Sequence, residues 1–134
     1  MICFNGEEMI IFKYLCVFLI GGTVYGLIEV VSRGFTHWTM FLAGGICFLF
    51  LFGINTRTSF SLPVQCLLGT AVITSVEFIT GCIVNLKLNW NVWDYSRHSF
   101  NLLGQICPLF TGCWFLLCIP GIWLARTVNA YLFA

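Results

Sequence analysis

The sequence predicts an all-α membrane protein: a four-helix transmembrane bundle built from two parallel two-helix repeats, with a short interfacial segment before the last helix. Three observations carry this expectation. The chain is 60% hydrophobic and only 8% charged over 134 residues, whereas a soluble domain carries roughly 25% charged residues because its surface faces water. Its apolar residues fall into four long runs, and at about 20 residues per crossing the length admits four or five spans. A stretch of the second run recurs at the start of the fourth.

The first span is expected over 10–31, with Lys13 placed to snorkel at one end and Glu29 near the other. The run from Tyr14 onward reaches Glu29 and Arg33 without an Ala-x-Ala site, so it reads as a retained helix rather than a signal peptide. The second span, 38–54, is almost wholly apolar, with Gly44 and Gly45 at its middle. The third, 62–84, contains Glu77, and the fourth, 102–124, ends just before Arg126. Pro108 and Pro120 predict kinks, because neighbouring helices can satisfy freed backbone groups in a membrane. The whole chain, 1–134, reads as a single transmembrane domain. Lys13, Arg57 and Arg126 fall on one side, Arg33, Lys87 and Arg97 on the other, so the positive-inside rule leaves the orientation open.

The third connection, 85–101, is the long one. It is rich in Trp, Tyr and Asn, which suits the headgroup level, and it is expected to lie along the interface as a short helix or an ordered loop. The repeat rests on Leu42–Phe50 against Leu102–Phe110, identical at six of nine positions, and on Gly21, Val24 and Glu29 against Gly69, Val72 and Glu77. It would relate the two halves by a pseudo-twofold along the membrane normal, with Glu29 and Glu77 near one face.

Composition excludes several functions. The net charge of +1 gives no basic patch for nucleic acid. The eight cysteines contain no Cys-x-x-Cys pair, and most sit in apolar runs as small hydrophobes. The histidines and carboxylates lack metal-ligand spacing, so neither a metal nor another cofactor is expected. No Gly-x-x-x-x-Gly-Lys-Ser/Thr motif is present, so the chain is not an ATPase.

The polar residues gather toward one side. Glu29 and Arg33 are four apart and share a helix face, either as an ion pair locking the helix end or as part of a site. A carboxylate within a span, as at Glu77, has to be paired, protonated or turned toward a polar cavity. It could be a lock with Arg33, Asn101 or Gln105, or a binding group for a solute, ion or proton. His37 and His98 precede spans two and four. Trp93, Asp94 and Tyr95 lie in an aromatic-polar string that either anchors the chain at the interface or forms a lid. Glu29, Arg33, His37, Glu77, Trp93, Asp94, Tyr95, His98, Asn101 and Gln105 are thus the candidate ligand-binding residues. Gly22 and Gly26 form a small-x-x-x-small pair expected to pack closely on another helix.

These residues carry a resemblance. Glu29, then Arg33-Gly34-Phe35-Thr36-His37-Trp38, Gly44-Gly45-Ile46-Cys47, Glu77 with Gly81 and Asn85, Trp93-Asp94-Tyr95-Ser96 and Asn101-Leu102 with Gly104-Gln105-Ile106-Cys107 resemble the small bacterial membrane proteins of the ABC-transporter type IV, or CmpB-like, family. A related animal family of uncharacterised transmembrane proteins shares the pattern. The resemblance runs from about Tyr14 to Leu124. This chain departs from it in having Arg97-His98-Ser99-Phe100 where a Pro is expected before Asn101.

Three functions remain as alternatives. The first is an integral protein of the cell membrane that binds or helps to transport a small solute or lipid through a polar site near one face. Such a path would call for a homodimer or a larger membrane partner, with the Gly-rich faces of spans one and two as contacts. The second is a non-catalytic accessory or scaffolding protein in which the polar residues are packing locks. The third is a membrane-embedded enzyme acting on a lipid headgroup or quinone-like substrate, with Glu77, Asp94 and His98 as its acid–base set. The sequence has no distinctive catalytic motif to favour the third.

Overall fold

The computed structural model describes residues 5–134. Cys3 lies outside them. Four helices cross the bundle in alternating directions: α1 (Gly6–Arg33), α2 (Trp38–Arg57), α3 (Leu62–Gly81) and α4 (Pro108–Leu132). A π turn, Cys82–Lys87, prolongs α3. All four are long and apolar enough to span a bilayer.

Local chemistry sets the helix ends. Asn5 and Glu8 form a reciprocal capping box at the start of α1, satisfying two backbone donors that the helix leaves free. Gly34 closes α1 in the left-handed conformation, φ 81°, donating its N–H to Val30 O. His37 caps α2 through its ring nitrogen. Pro63 and Pro108 sit in the first turns of α3 and α4, where a missing N–H costs nothing.

That last point corrects the expected fourth span. Residues 102–107 are not helical, although four of them are apolar. Pro108 starts a helix rather than kinking one, and the helix runs on to Leu132. Pro120 stays inside α4 without ending it. The matched nonapeptides therefore differ in structure: Leu42–Phe50 is helical throughout, whereas its counterpart is loop up to Cys107. Gly21 with Gly69 and Glu29 with Glu77, by contrast, are all helical and buried.

Helix association in lipid rests on close packing, because lipid tails are as apolar as the side chains. Here α1 and α2 form a hairpin with interlocking glycines. A Cβ on Gly21 would lie 2.2 Å from Phe48 Cβ, and one on Gly44 2.5 Å from Tyr25 Cβ. Gly22 meets Phe41 O at 2.7 Å, but Gly26 has open space, so the close pair is Gly21-Gly22 against Gly44-Gly45 rather than Gly22 with Gly26. These four glycines are used within the chain, whereas Gly26 and Gly53 of the same two spans have open space. Half of α2 is buried, against 17–28% for the other spans, making it the central helix.

The main core gathers Val17, Phe48, Phe52, Cys66, Cys118 and Ile122. A smaller cluster of Met40, Val84, Val92 and Trp93 closes the bundle end that carries the long loop. Large apolar side chains elsewhere face outward, among them Val31, Leu67, Leu116 and Trp123. In water such a surface would aggregate, and in a bilayer it is the lipid face.

Candidate functional site

The π turn begins the site. An i→i+5 turn inserts one residue into the helical ladder and re-aims the chain beyond it. Leu88 N–H reaches back to Ile83 O, and Asn85 turns into the bundle. Asn85 donates to Gln105 Oε1 (2.9 Å) and accepts from Val92 N–H (2.7 Å). Gln105, 3% exposed, donates from Nε2 to Leu103 O (2.9 Å), and its backbone carbonyl accepts from Trp93 Nε1 (3.0 Å). Gly81 leaves room for this network: a Cβ there would meet Gln105 Oε1 at 2.5 Å and the Trp93 ring at 2.9 Å.

The loop between α3 and α4 folds over this end as a cap. It is ordered but not helical. Asn101 staples it, donating to Ser96 O and His98 O and accepting from Gly104 N–H. Phe100 (φ 57°) and Leu103 (φ 53°) are held in the left-handed region, a strained state for bulky residues that only a well-tied loop sustains. A Pro could not stand in place of Phe100, since its ring fixes φ near −65°. Asp94 is at the surface and accepts from Ser96 N–H at 2.9 Å. That hydrogen bond, with a smaller contribution from the Arg97 charge, holds the Asp94 carboxyl below the usual carboxylate range.

Beneath the cap lie two buried carboxylates. Glu29 accepts from Tyr25 Oη (2.9 Å), and Arg33 Nε lies 3.1 Å from its other oxygen as an ion pair lacking hydrogen-bond alignment. Arg33 also donates to Val92 O (2.8 Å), tying α1 to the cap. Glu77, 6% exposed, accepts from Tyr95 Oη on Oε1 (2.8 Å) and from Trp114 Nε1 on Oε2 (2.9 Å). Tyr95 stacks on Phe110 with centroids 4.5 Å apart. Burial, and then the neighbouring Glu77 charge, push the Tyr95 phenol up, so it stays a donor. Ten residues, about 15 Å of helix, separate Glu77 from Lys87 at the end of the span. Glu77 therefore lies within the candidate span rather than at its end.

Glu77 lines a cavity of about 410 Å³ between the helices, within the roughly 300–1,000 Å³ of small-molecule sites. Gly21, Val24, Tyr25 and Ile28 of α1 form one wall, and Trp114, Leu117 and Trp123 of α4 another. Met40, Ala43 and Cys47 of α2 form the back. Along most of its length α1 packs on α2 and stands apart from α3 and α4. Tyr25 against Trp114 (6.0 Å) and Tyr14 against Phe133 (5.4 Å) bridge α1 to α4 and to the residue just past its end. Trp123, which lines the cavity, is 68% exposed, and the space is partly open rather than sealed.

The structure brings together Glu29, Arg33, Glu77, Trp93, Tyr95 and Gln105 from the sequence-predicted set. Of the others, His37, Asp94 and Asn101 bond backbone groups, and His98 packs on rings. His37 bonds Thr39 and packs on Trp38 and Trp90. His98 stands edge-on to Tyr95 and Phe110. Asp94 and Asn101 hold loop turns. Glu77 bonds none of Arg33, Asn101 and Gln105, the partners expected for a lock. Sequence reasoning misses Tyr25, Asn85 and Trp114 as members of the site. Tyr25 is findable, being four residues before Glu29 on the same face, and so is Asn85, as a polar residue at the end of an apolar run. Trp114 gives no signal, because its meeting with Glu77 depends on how two helices are rotated.

A family model described as Putative ABC-transporter type IV matches residues 14–133. The chain belongs to this family. No curated protein and no solved structure matches it. The family's transport-related name agrees with an integral membrane protein of four spans carrying an intramembrane cavity.

Proposed function

We propose that this protein sits in the cell membrane and binds a small solute or a lipid in the cavity beneath the cap, helping to move it between the bilayer and one membrane face. The carrying observation is the cavity itself: apolar walls, a partial opening, and the Glu77 carboxylate at its polar end. At the other end, Tyr14, Phe52 and Phe133 pack their rings together. A complete path across the membrane would then need a second copy of the chain or a larger membrane partner.

The accessory reading has one observation in its favour: both oxygens of Glu77 already accept hydrogen bonds. Filling the cavity separates the two readings. Val76 lines it from α3. Native mass spectrometry in nanodiscs is expected to find a retained small molecule or lipid on wild type and none on Val76→Phe, with helicity kept. An empty wild type, together with a Val76→Phe protein that melts higher because a void has been filled, would leave the accessory reading standing instead.

A further inference from the structure

We infer that the cavity selects a lipophilic cation, an apolar body bearing an amine or onium group. This rests on the binding role proposed above and names its substrate class. Charge is the first argument. Of the two buried carboxylates, Glu29 has its counter-ion in Arg33. Glu77 has only a phenol and an indole, both uncharged. None of the chain's other basic residues lines the cavity. Lys13 lies over Phe133, Arg57 reaches Tyr14, and Lys87, Arg97 and Arg126 are exposed. An ionised Glu77 thus leaves a net negative charge on a low-dielectric wall, where an unpaired charge is strongly unfavourable. A cationic occupant supplies the missing partner, whereas an anion would meet repulsion.

The walls give the second argument. Tyr25, Trp114 and Trp123 present aromatic surface in the same cavity, and aromatic faces attract cations most strongly when water is excluded. The remaining lining is aliphatic and suits an apolar body. Access is the third argument. The cavity is partly open and α1, which forms one wall, packs chiefly on α2, so an occupant that partitions into the bilayer would reach Glu77 between α1 and α4 without crossing the cap.

Tetraphenylphosphonium and the near-isosteric anion tetraphenylborate test this, read by tryptophan quenching in nanodiscs against empty discs. Wild type is expected to bind the phosphonium saturably, Glu77→Gln at least tenfold more weakly, and neither protein to bind the borate saturably. Glu77→Gln is expected to keep wild-type helicity in the same discs, and Glu77→Asp, which restores the carboxylate, to recover part of the phosphonium binding, which separates loss of charge from loss of fold. Equal affinity for both ions, phosphonium binding unchanged in Glu77→Gln, or no saturable phosphonium binding would each overturn the cation inference. The cavity reading would survive any of these if native mass spectrometry still found a ligand that Val76→Phe expels.

Discussion

The two ends of the bundle differ in what mainly closes them, an extended hydrogen-bond network at one and aromatic packing at the other. At the capped end, Asn85, Gln105, Trp93 and Glu77 form a directional hydrogen-bond network, with the Glu29–Arg33 ion pair beside it. At the opposite end, Tyr14, Phe52 and Phe133 meet edge to face or tilted, Lys13 lies 5.2 Å from the Phe133 centroid, and the hydrogen bonding is a smaller set in which buried Gln65 accepts from Asn55 and donates to Phe60 O. Aromatic packing tolerates small rearrangement, because many weak contacts share the load. A hydrogen-bond network fails group by group, because each orphaned polar atom carries its own desolvation cost. The networked end is therefore the one that can hold a fixed binding geometry, and the cavity's polar groups lie toward it.

The largest effect should come from removing the centre of the network. Gln105→Leu leaves Asn85 Nδ2 without its partner in a buried site, at about 1–3 kcal/mol, and removes the tie to Leu103 O. A clearly lowered melting temperature and new protease cleavage between 88 and 107 are expected. An intact loop would mean that the cap does not depend on Gln105.

Glycines at the two ends sharpen the contrast. Gly81→Ala forces its Cβ into Gln105 Oε1 and the Trp93 ring, whereas a Cβ on Gly53 meets nothing within 4 Å. Overpacking at Gly81 should cost about 1–3 kcal/mol. Gly53→Ala should be neutral or stabilise by up to about 1 kcal/mol through helix propensity. Thermal melts of the two variants in one detergent compare them directly, and equal behaviour would erase the distinction between the ends.

The smallest effect belongs to Asp94. Its carboxyl titrates below the ordinary range in the folded loop, so its contribution is present above the unfolded value and fades as pH falls through the folded one. At neutral pH, Asp94→Asn should alter only local protection at Ser96, measured by hydrogen exchange. The wild-type loop should lose that protection on acidification while the variant stays flat.

Hydropathy makes the four spans legible, because an apolar run of some 20 residues has few fates other than a membrane helix. It fails at 102–107, where Leu102, Leu103, Ile106 and Cys107 look like helix but form a turn with Leu102 bonded to Ile106. In a membrane protein an apolar loop at the interface does not differ in composition from a span. The useful signal is Pro108, whose best place is a first turn. At the candidate site, Glu77 and Tyr95 are legible as a carboxylate out of place and an aromatic in a polar string. Trp114 is not, because period and polarity say which residues face inward but not which of them meet.

The π turn at Cys82–Lys87 makes length count for more than composition in that stretch. An α-helix converts to this form by gaining a single residue, and reverts by losing one. Each residue in a helix carries a rotation of about 100°. Deleting one residue between 82 and 84 would change the direction in which Asn85 and the start of the cap leave the helix, although every side chain of the network would still be present. The geometry of the carboxylate site is thus written partly as a count of residues, a kind of information that no single substitution can erase and a one-codon deletion can.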